Sequence, residues 1–170
     1  ASLRYTLSVT PYAPSLSQLS DIPQQSSNLE INRGNKDLKV NQGYNNWLIF
    51  NWNMKRVNLQ WRAQYLYRDK PILRTIRAVQ DEEGRYMVEY APINWDYRER
   101  VATRLTLGWK IIPDVLNLNL YGGVHWNKSV GDGYNHEYSA WEGGGSLSAS
   151  LGKFSLMAGT SIRTKSMAGV

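Results

Sequence analysis

The chain has 170 residues, a formal net charge of +6 and no cysteine. That length suffices for one domain with a core, while the lack of cysteine excludes disulfides and cysteine-ligated metals. Mean hydropathy is negative, and no apolar run approaches the ~18 residues of a membrane-spanning helix, which excludes a helical membrane protein.

Alternation of apolar and polar residues with period two, the pattern of half-buried strands, dominates the chain. It runs over residues 3–9, is interrupted by a polar stretch over 11–42, and resumes over 44–54 and 57–67. Residues 68–94 alternate less regularly around the turn signal Asp81-Glu82-Glu83-Gly84. We predict one tall hairpin there, extending beyond the main sheet, with a break or bulge at Pro71 and at Pro92 because proline cannot donate to a ladder.

The alternation continues over 97–109, 116–126, 141–151 and 154–162. It predicts an all-β fold, an antiparallel up-and-down meander of about seven strands. Long connections (11–42, the hairpin tip and a loop at 127–137) alternate with short ones near 55–56, 111–114 and 152–153. Transmembrane β-barrels show this asymmetry, with short turns at one end and long loops at the other, so we interpret the meander as part of such a barrel.

Eleven Tyr and seven Trp against two Phe indicate an environment that is partly apolar and partly wet. With the long connections placed at the top, aromatic residues fall near both ends of the apolar faces, as the two interfaces of a bilayer require. The upper set is Tyr44, Tyr65, Tyr67, Tyr97, Trp126 and Trp141, and the lower set is Trp52, Trp109 and Phe154.

Basic residues occupy the polar faces, which point to the lumen in a barrel. They are Arg62, Arg98, Arg100, Arg104 and Lys110. The simpler interpretation is pairing with unseen carboxylates on other strands of the barrel, since charged side chains commonly serve solvation and pairing. The alternative is a positive wall that attracts an anionic ligand or contacts a plug domain.

Residues able to do chemistry are sparse. We expect no enzyme activity, no cofactor and no metal site, because no nucleophile–base pair or metal-ligand spacing is present. Asp132, Asn135, His136 and Glu137 are interpreted as a solvated loop, and the basic residues form no nucleic-acid motif. Tyr12 and Tyr134 lie in predicted loops, where they are candidates for stacking on a ligand.

The stretch over 3–54 resembles a known family. A strand runs into a segment with Pro14 and the pair Gln18-Leu19, and then into Gly34-Asn35-Lys36-Asp37-Leu38-Lys39 before the strand that starts at Tyr44. This order resembles the barrel of TonB-dependent receptors of the Bacteroidetes outer-membrane type. Its loop motif is carried by Gly34, Asn35 and Leu38, although Lys36 stands where the family often has proline.

The resemblance implies a segment of a receptor in the bacterial outer membrane that imports a glycan, siderophore or cobalamin. Its partners would be outer-membrane lipid, a plug domain, TonB and a surface lipoprotein. We therefore expect residues 1–170 to be a single β-barrel segment, a fragment without plug domain or closing strand, which self-associates if isolated because its edges and apolar face are uncovered. Two alternatives remain: a soluble β-barrel or sandwich that binds a sugar or lipid, and a passive porin-like barrel.

Overall fold

The computed structural model describes residues 1–27, 29–80 and 84–164. One helical turn, α1 (Leu16–Leu19), interrupts an otherwise β chain. The strands are β1 (Ser2–Tyr12), β2 (Gln24–Ser27), β3 (Glu30–Asn32), β4 (Asn41–Asn53), β5 (Val57–Asp69), β6 (Ile72–Gln80), β7 (Tyr86–Asn94), β8 (Tyr97–Ile112), β9 (Leu116–Gly131), β10 (Tyr134–Leu151) and β11 (Phe154–Arg163).

Seven strands form an open antiparallel sheet in the order β1-β4-β5-β8-β9-β10-β11, which we call the wall. The all-β, up-and-down prediction is confirmed. Pairing is continuous except for a shift between Lys110 and Ile112. Because neighbouring strands pair in phase, the apolar residues of each strand lie on one common face. Leu48, for example, lies opposite Tyr5 on one side and opposite Ala63 on the other.

The other four strands form a second sheet in the order β2-β3-β7-β6, which we call the cap. It combines the 11–42 connection with the tall hairpin, and both emerge from the same end of the wall. Its β3 and β7 run parallel, an exception to the predicted antiparallel pattern. Among the buried apolar residues of the described chain, Leu38, Met87 and Trp95 belong to the cap or to its junction with the wall.

The tall hairpin is β6–β7, and its predicted breaks are half correct. Pro71 separates β5 from β6 as predicted, but Pro92 lies inside β7 without a bulge, and the returning arm breaks at Trp95 and Asp96 instead. Asn35 Nδ2 donates to the Pro92 carbonyl at 3.2 Å, on the side where β3 has ended. The backbone nitrogen and carbonyl oxygen of a strand residue point to the same side. The nitrogen of Pro92 therefore also points away from β6, and its missing N–H removes no hydrogen bond from the β6–β7 ladder. The predicted turn residues 81–83 lie outside the described residues.

The predicted loop at 127–137 is wrong. β9 continues to Gly131 and β10 starts at Tyr134, so only two residues connect them. These are Asp132 and Gly133, with φ of 51° and 77°. Positive φ at both positions is the geometry of a type I′ hairpin turn, for which Asp-Gly is a preferred sequence. The strand residues on both sides of the turn are polar, and this composition led to the prediction of a loop.

The cap contacts the tip of this β9–β10 hairpin. Thr75 on β6 donates its hydroxyl hydrogen to Asp132 Oδ2, and an Arg77 guanidinium nitrogen lies 3.6 Å from Asp132 Oδ1. Below them, the amide of Asp96 donates to the carbonyl of Val130 at 2.9 Å. The cap is thereby joined to the wall through side chains as well as through the chain itself.

Candidate functional site

One face of the wall is apolar and open, and we call it the outer face. From the level of Tyr65 and Val101 down to that of Val57 and Trp109, the described wall strands place no Asp, Glu, Lys, Arg or His on it. On β8 the band spans the nine residues Val101–Trp109, of which every second one lies on the outer face. Nine to eleven residues of a tilted strand cross a hydrocarbon layer, so the band matches a bilayer in height.

Charged residues begin directly above this band. Glu99, Lys128 and Glu137 lie opposite one another on β8, β9 and β10. Tyr65 Oη donates to Glu99 Oε1 at 3.1 Å, and Trp126 Nε1 donates to Glu137 Oε1 at 2.8 Å. These rings have their apolar bodies in the band and their polar atoms on the charged row, which is the position of a membrane-interface belt.

The other predicted interface aromatics also lie on the outer face. Tyr44 and Tyr97 flank Tyr67 near the top, with ring centroids 6.2 and 6.3 Å from that of Tyr67. Trp141 lies opposite Val124, one row below Trp126. Near the turn end stand Trp52, Trp109 and Phe154.

The opposite face of the wall is polar. Amide side chains of β4 and β5 form hydrogen bonds with each other across the strands, which stabilises the pairing on this face. The donor–acceptor pairs are Gln64–Asn45 at 2.9 Å, Gln60–Asn51 at 2.7 Å and Asn58–Asn53 at 2.7 Å.

A cavity of about 220 Å³ lies on this polar face, where β4, β5, β8 and β9 present their middle residues. Three of the five basic residues predicted to face the lumen line it, together with an aromatic ring, an imidazole and a carboxylate. Arg104 donates to Glu142 at 3.0 Å and lies 4.3 Å from the Tyr121 ring centroid. The lining side chains include Trp47, Arg62, Arg100, Arg104, His125 and Glu142.

Arg62 and Arg100 differ from Arg104. No described residue forms a hydrogen bond or ion pair with either of them, and both are exposed. Arg62 stands directly opposite Arg104, and Arg98 stands opposite Arg68, six residues further along both strands. Like charges in directly opposed positions destabilise a sheet. Within the described residues, Arg104 pairs with a carboxylate of this chain, and the predicted pairing of the other members with unseen carboxylates on other strands stays a prediction.

A second cavity, of about 320 Å³, lies in the cap. It is lined by residues of α1, β2, β3, β6 and β7, and its lining includes Arg33 and Arg74. Arg74 covers the Tyr90 ring at 5.1 Å, and Arg33 lies 3.5 Å from Glu89. Sequence reasoning missed this site because its residues come from separate segments and carry no local motif.

The two predicted loop aromatics lie elsewhere. Tyr12 ends β1, beneath the Arg68 guanidinium at 4.8 Å. Tyr134 starts β10 at the hairpin tip and stacks on His136 with centroids 6.1 Å apart. The structure does not bring them together, and neither lines the cap cavity. Their role in ligand binding stays a prediction.

The loop motif of 34–39 folds the 11–42 connection against the cap. A Cβ on Gly34 would overlap the carbonyl oxygen of Ser20, to which the Gly34 amide donates at 2.9 Å. Asn35 accepts from the amide of Asp37 at 2.9 Å, and Leu38 is buried. The motif thus has a structural role that only glycine permits at its first position.

An antiparallel wall with an uncharged outer band, aromatic residues at both boundaries and a polar opposite face defines an outer-membrane β-barrel protein. A model of the outer membrane protein beta-barrel family matches residues 5–168, and the chain belongs to that family. The protein lies in the bacterial outer membrane, with the outer face toward lipid and the polar face toward the lumen. The soluble binding module is thereby excluded. No curated protein matches the chain.

No helix within the described residues is long and apolar enough to cross a membrane.

Proposed function

We propose that this wall belongs to a TonB-dependent receptor of the Bacteroidetes type that takes up a nutrient ligand such as a glycan, a siderophore or cobalamin. The order of motifs over 3–54 supports the family assignment. By the same resemblance, a plug domain closes the lumen, TonB supplies energy from the inner membrane, and a surface lipoprotein is a further partner. The protein has no enzyme activity in this proposal.

The observation that carries the proposal is the cap. A passive pore needs an unobstructed mouth, whereas a receptor needs a preformed site that selects its ligand. Here both long connections fold into one sheet around a cavity of about 320 Å³, with Arg33, Arg74 and Tyr90 in its lining. Such a mixture of cations, amides and an aromatic ring suits a polar ligand with an apolar surface.

The test uses the protein expressed from its own gene in the source bacterium. Uptake of a glycan, a ferric siderophore and cobalamin is measured with and without a protonophore and in a tonB deletion. We expect uptake of one ligand to fall to background in both conditions. Tyr90→Ala should weaken the binding of that ligand about tenfold or more, whereas Tyr86→Ala, an exposed tyrosine at the start of the same strand, should leave it unchanged.

Uptake that persists without the proton gradient, together with a constantly open conductance in planar bilayers, would identify a passive porin-like barrel. That outcome would contradict the proposal directly, because a TonB-dependent receptor is closed until energised.

A further inference from the structure

The arginine cavity on the lumen face has the lining of a binding site. We propose that Arg62 and Arg100 bind the carboxylate or phosphate group of an anionic ligand, while Trp47 contacts the attached ring or chain. The inference deepens the proposed uptake function, on which it rests, by naming the chemistry of the ligand that crosses the lumen.

The charge of the site favours an anion. Arg62, Arg100 and Arg104 line the cavity, and Glu142 is the only carboxylate among its described lining residues. Glu142 is already engaged twice, by Arg104 at 3.0 Å and by Arg163 at 2.9 Å. Two guanidinium groups therefore remain without a counter-charge in the described chain, which gives the cavity a positive potential.

The sheet itself does not explain Arg62. Arg62 lies opposite Arg104, where like charge weakens the pairing of β5 with β8. A neutral amide would serve the wall better, as it does two positions away at Gln60 and Gln64 on the same face. The planar fork of arginine matches carboxylate and phosphate oxygens in pairs, so an anionic ligand would supply the counter-charge that the described residues lack.

Trp47 provides an apolar surface in the same cavity. Trp52, Trp61, Trp109, Trp126 and Trp141 lie on the outer face and Trp95 is buried at the junction with the cap, so Trp47 is the tryptophan of this chain that faces the lumen. It lies opposite Thr6 and Gln64, in the polar register. This placement makes its fluorescence a reporter of the proposed site.

The experiment uses the full-length protein in lipid vesicles. Fluorescence quenching by iodide, caesium and acrylamide is compared between wild type and Trp47→Phe, and the difference isolates Trp47 from the other tryptophans. We expect iodide to quench Trp47 at least about threefold more efficiently than caesium, because a positive potential of order kT concentrates anions. The double variant Arg62→Gln/Arg100→Gln should abolish that preference, while Lys153→Gln, a turn residue at the far end of the wall, should keep it.

The chemistry of the ligand is tested by measuring which compounds protect Trp47 from quenching by iodide. Trigalacturonate or inorganic phosphate should shield Trp47 from iodide in wild type and not in the double variant, whereas neutral galactotriose should shield in neither. Equal quenching of Trp47 by iodide and caesium, or protection by the neutral sugar as strong as by the two anions, would overturn the proposal. A segment of the same protein that already neutralises the two arginines would give the first of these results.

The two proposals fail separately. Anion protection with uptake that ignores the proton gradient would contradict only the TonB-dependent function. Gradient-dependent uptake in a protein whose Trp47 shows no anion preference would contradict only the lumen site. Arg62→Gln relieves a repulsion between like charges, so the variant should be as stable as wild type or slightly more stable. A variant that is less stable than wild type would therefore reveal a folding defect.

Discussion

The wall and the cap differ in how their strands are specified. In the wall, the strands have a period-two alternation and each pairs with its neighbours in antiparallel register over ten or more positions. In the cap, β2 and β3 have only four and three residues, β3 pairs in parallel with β7, and a register irregularity separates Gln25 from Ser27. The wall therefore follows from local pattern, whereas the cap depends on specific long-range contacts.

The two regions also bury apolar residues differently. Leu38 and Met87 are buried inside the protein, within or beside the cap, while Leu105 in the wall remains 46% exposed. The cap is thus stabilised by its own interior, as a soluble unit is. The apolar residues of the wall are buried by lipid. The effect of a substitution on the outer face therefore depends on the free energy of placing the new side chain in hydrocarbon and not in water.

The largest effect should come from a charge placed in the uncharged band. Leu105→Arg should destabilise the folded protein by about 2–4 kcal/mol, because the guanidinium would face the bilayer centre. Its neighbour Thr106→Arg, on the lumen face, should cost less than about 1 kcal/mol. Both destabilisations are measured as the change in the free energy of unfolding by guanidinium chloride in lipid vesicles. Equal destabilisation by the two substitutions would show that the assignment of faces is wrong.

The next effect should be confined to the cap. Gly34→Val should destabilise the fold of the 11–42 connection by about 1–3 kcal/mol, because the new side chain overlaps the Ser20 carbonyl. Gly122→Val, where a Cβ meets nothing within 4 Å, is the matched control. Limited proteolysis should cut the first variant within 11–42 and leave the wall intact. Protection of that segment at the wild-type level would argue against the structural role of the motif.

A smaller effect is expected from a substitution at the contact between the cap and the wall. Thr75→Val should cost about 1 kcal/mol, because Thr75 is buried and its hydroxyl donates to Asp132. Amide exchange should accelerate in β6 while β8 stays protected. Thr106→Val, on the lumen face of the wall, provides the comparison, and faster exchange throughout both sheets would mean that cap and wall unfold as one unit.

The smallest effect is expected at the upper boundary. Tyr65→Phe removes the hydroxyl that donates to Glu99, and because water reaches this level the cost should be about 0.5 kcal/mol. Tyr67→Phe, whose hydroxyl makes no hydrogen bond to a described residue, should be neutral. Thermal unfolding in the same vesicles compares them. A loss of 2 kcal/mol or more at Tyr65 would place that hydroxyl inside the hydrocarbon.

Much of the lumen site was within reach of the sequence. Alternation along β5 and β8 was sufficient to put Arg62, Arg98, Arg100 and Arg104 on one face. Only the paired register showed that three of them share a cavity with Trp47 and that Glu142 neutralises one. Strand alternation has a fixed period, so it assigns a face, but the distance between residues on different strands depends on how the strands align.

The sequence by itself determined the wall: its all-β fold, its up-and-down order, the two chemically distinct faces and the aromatic residues at their boundaries. Each of these depends on side chains two residues apart along one strand. Tertiary structure alone decided that the tall hairpin joins β2 and β3 in one sheet, and with it the cap cavity and the contact with Asp132. Those features join residues such as Gln18, Asn35 and Pro92, which are far apart in sequence and come into contact only when the long connections fold back on each other.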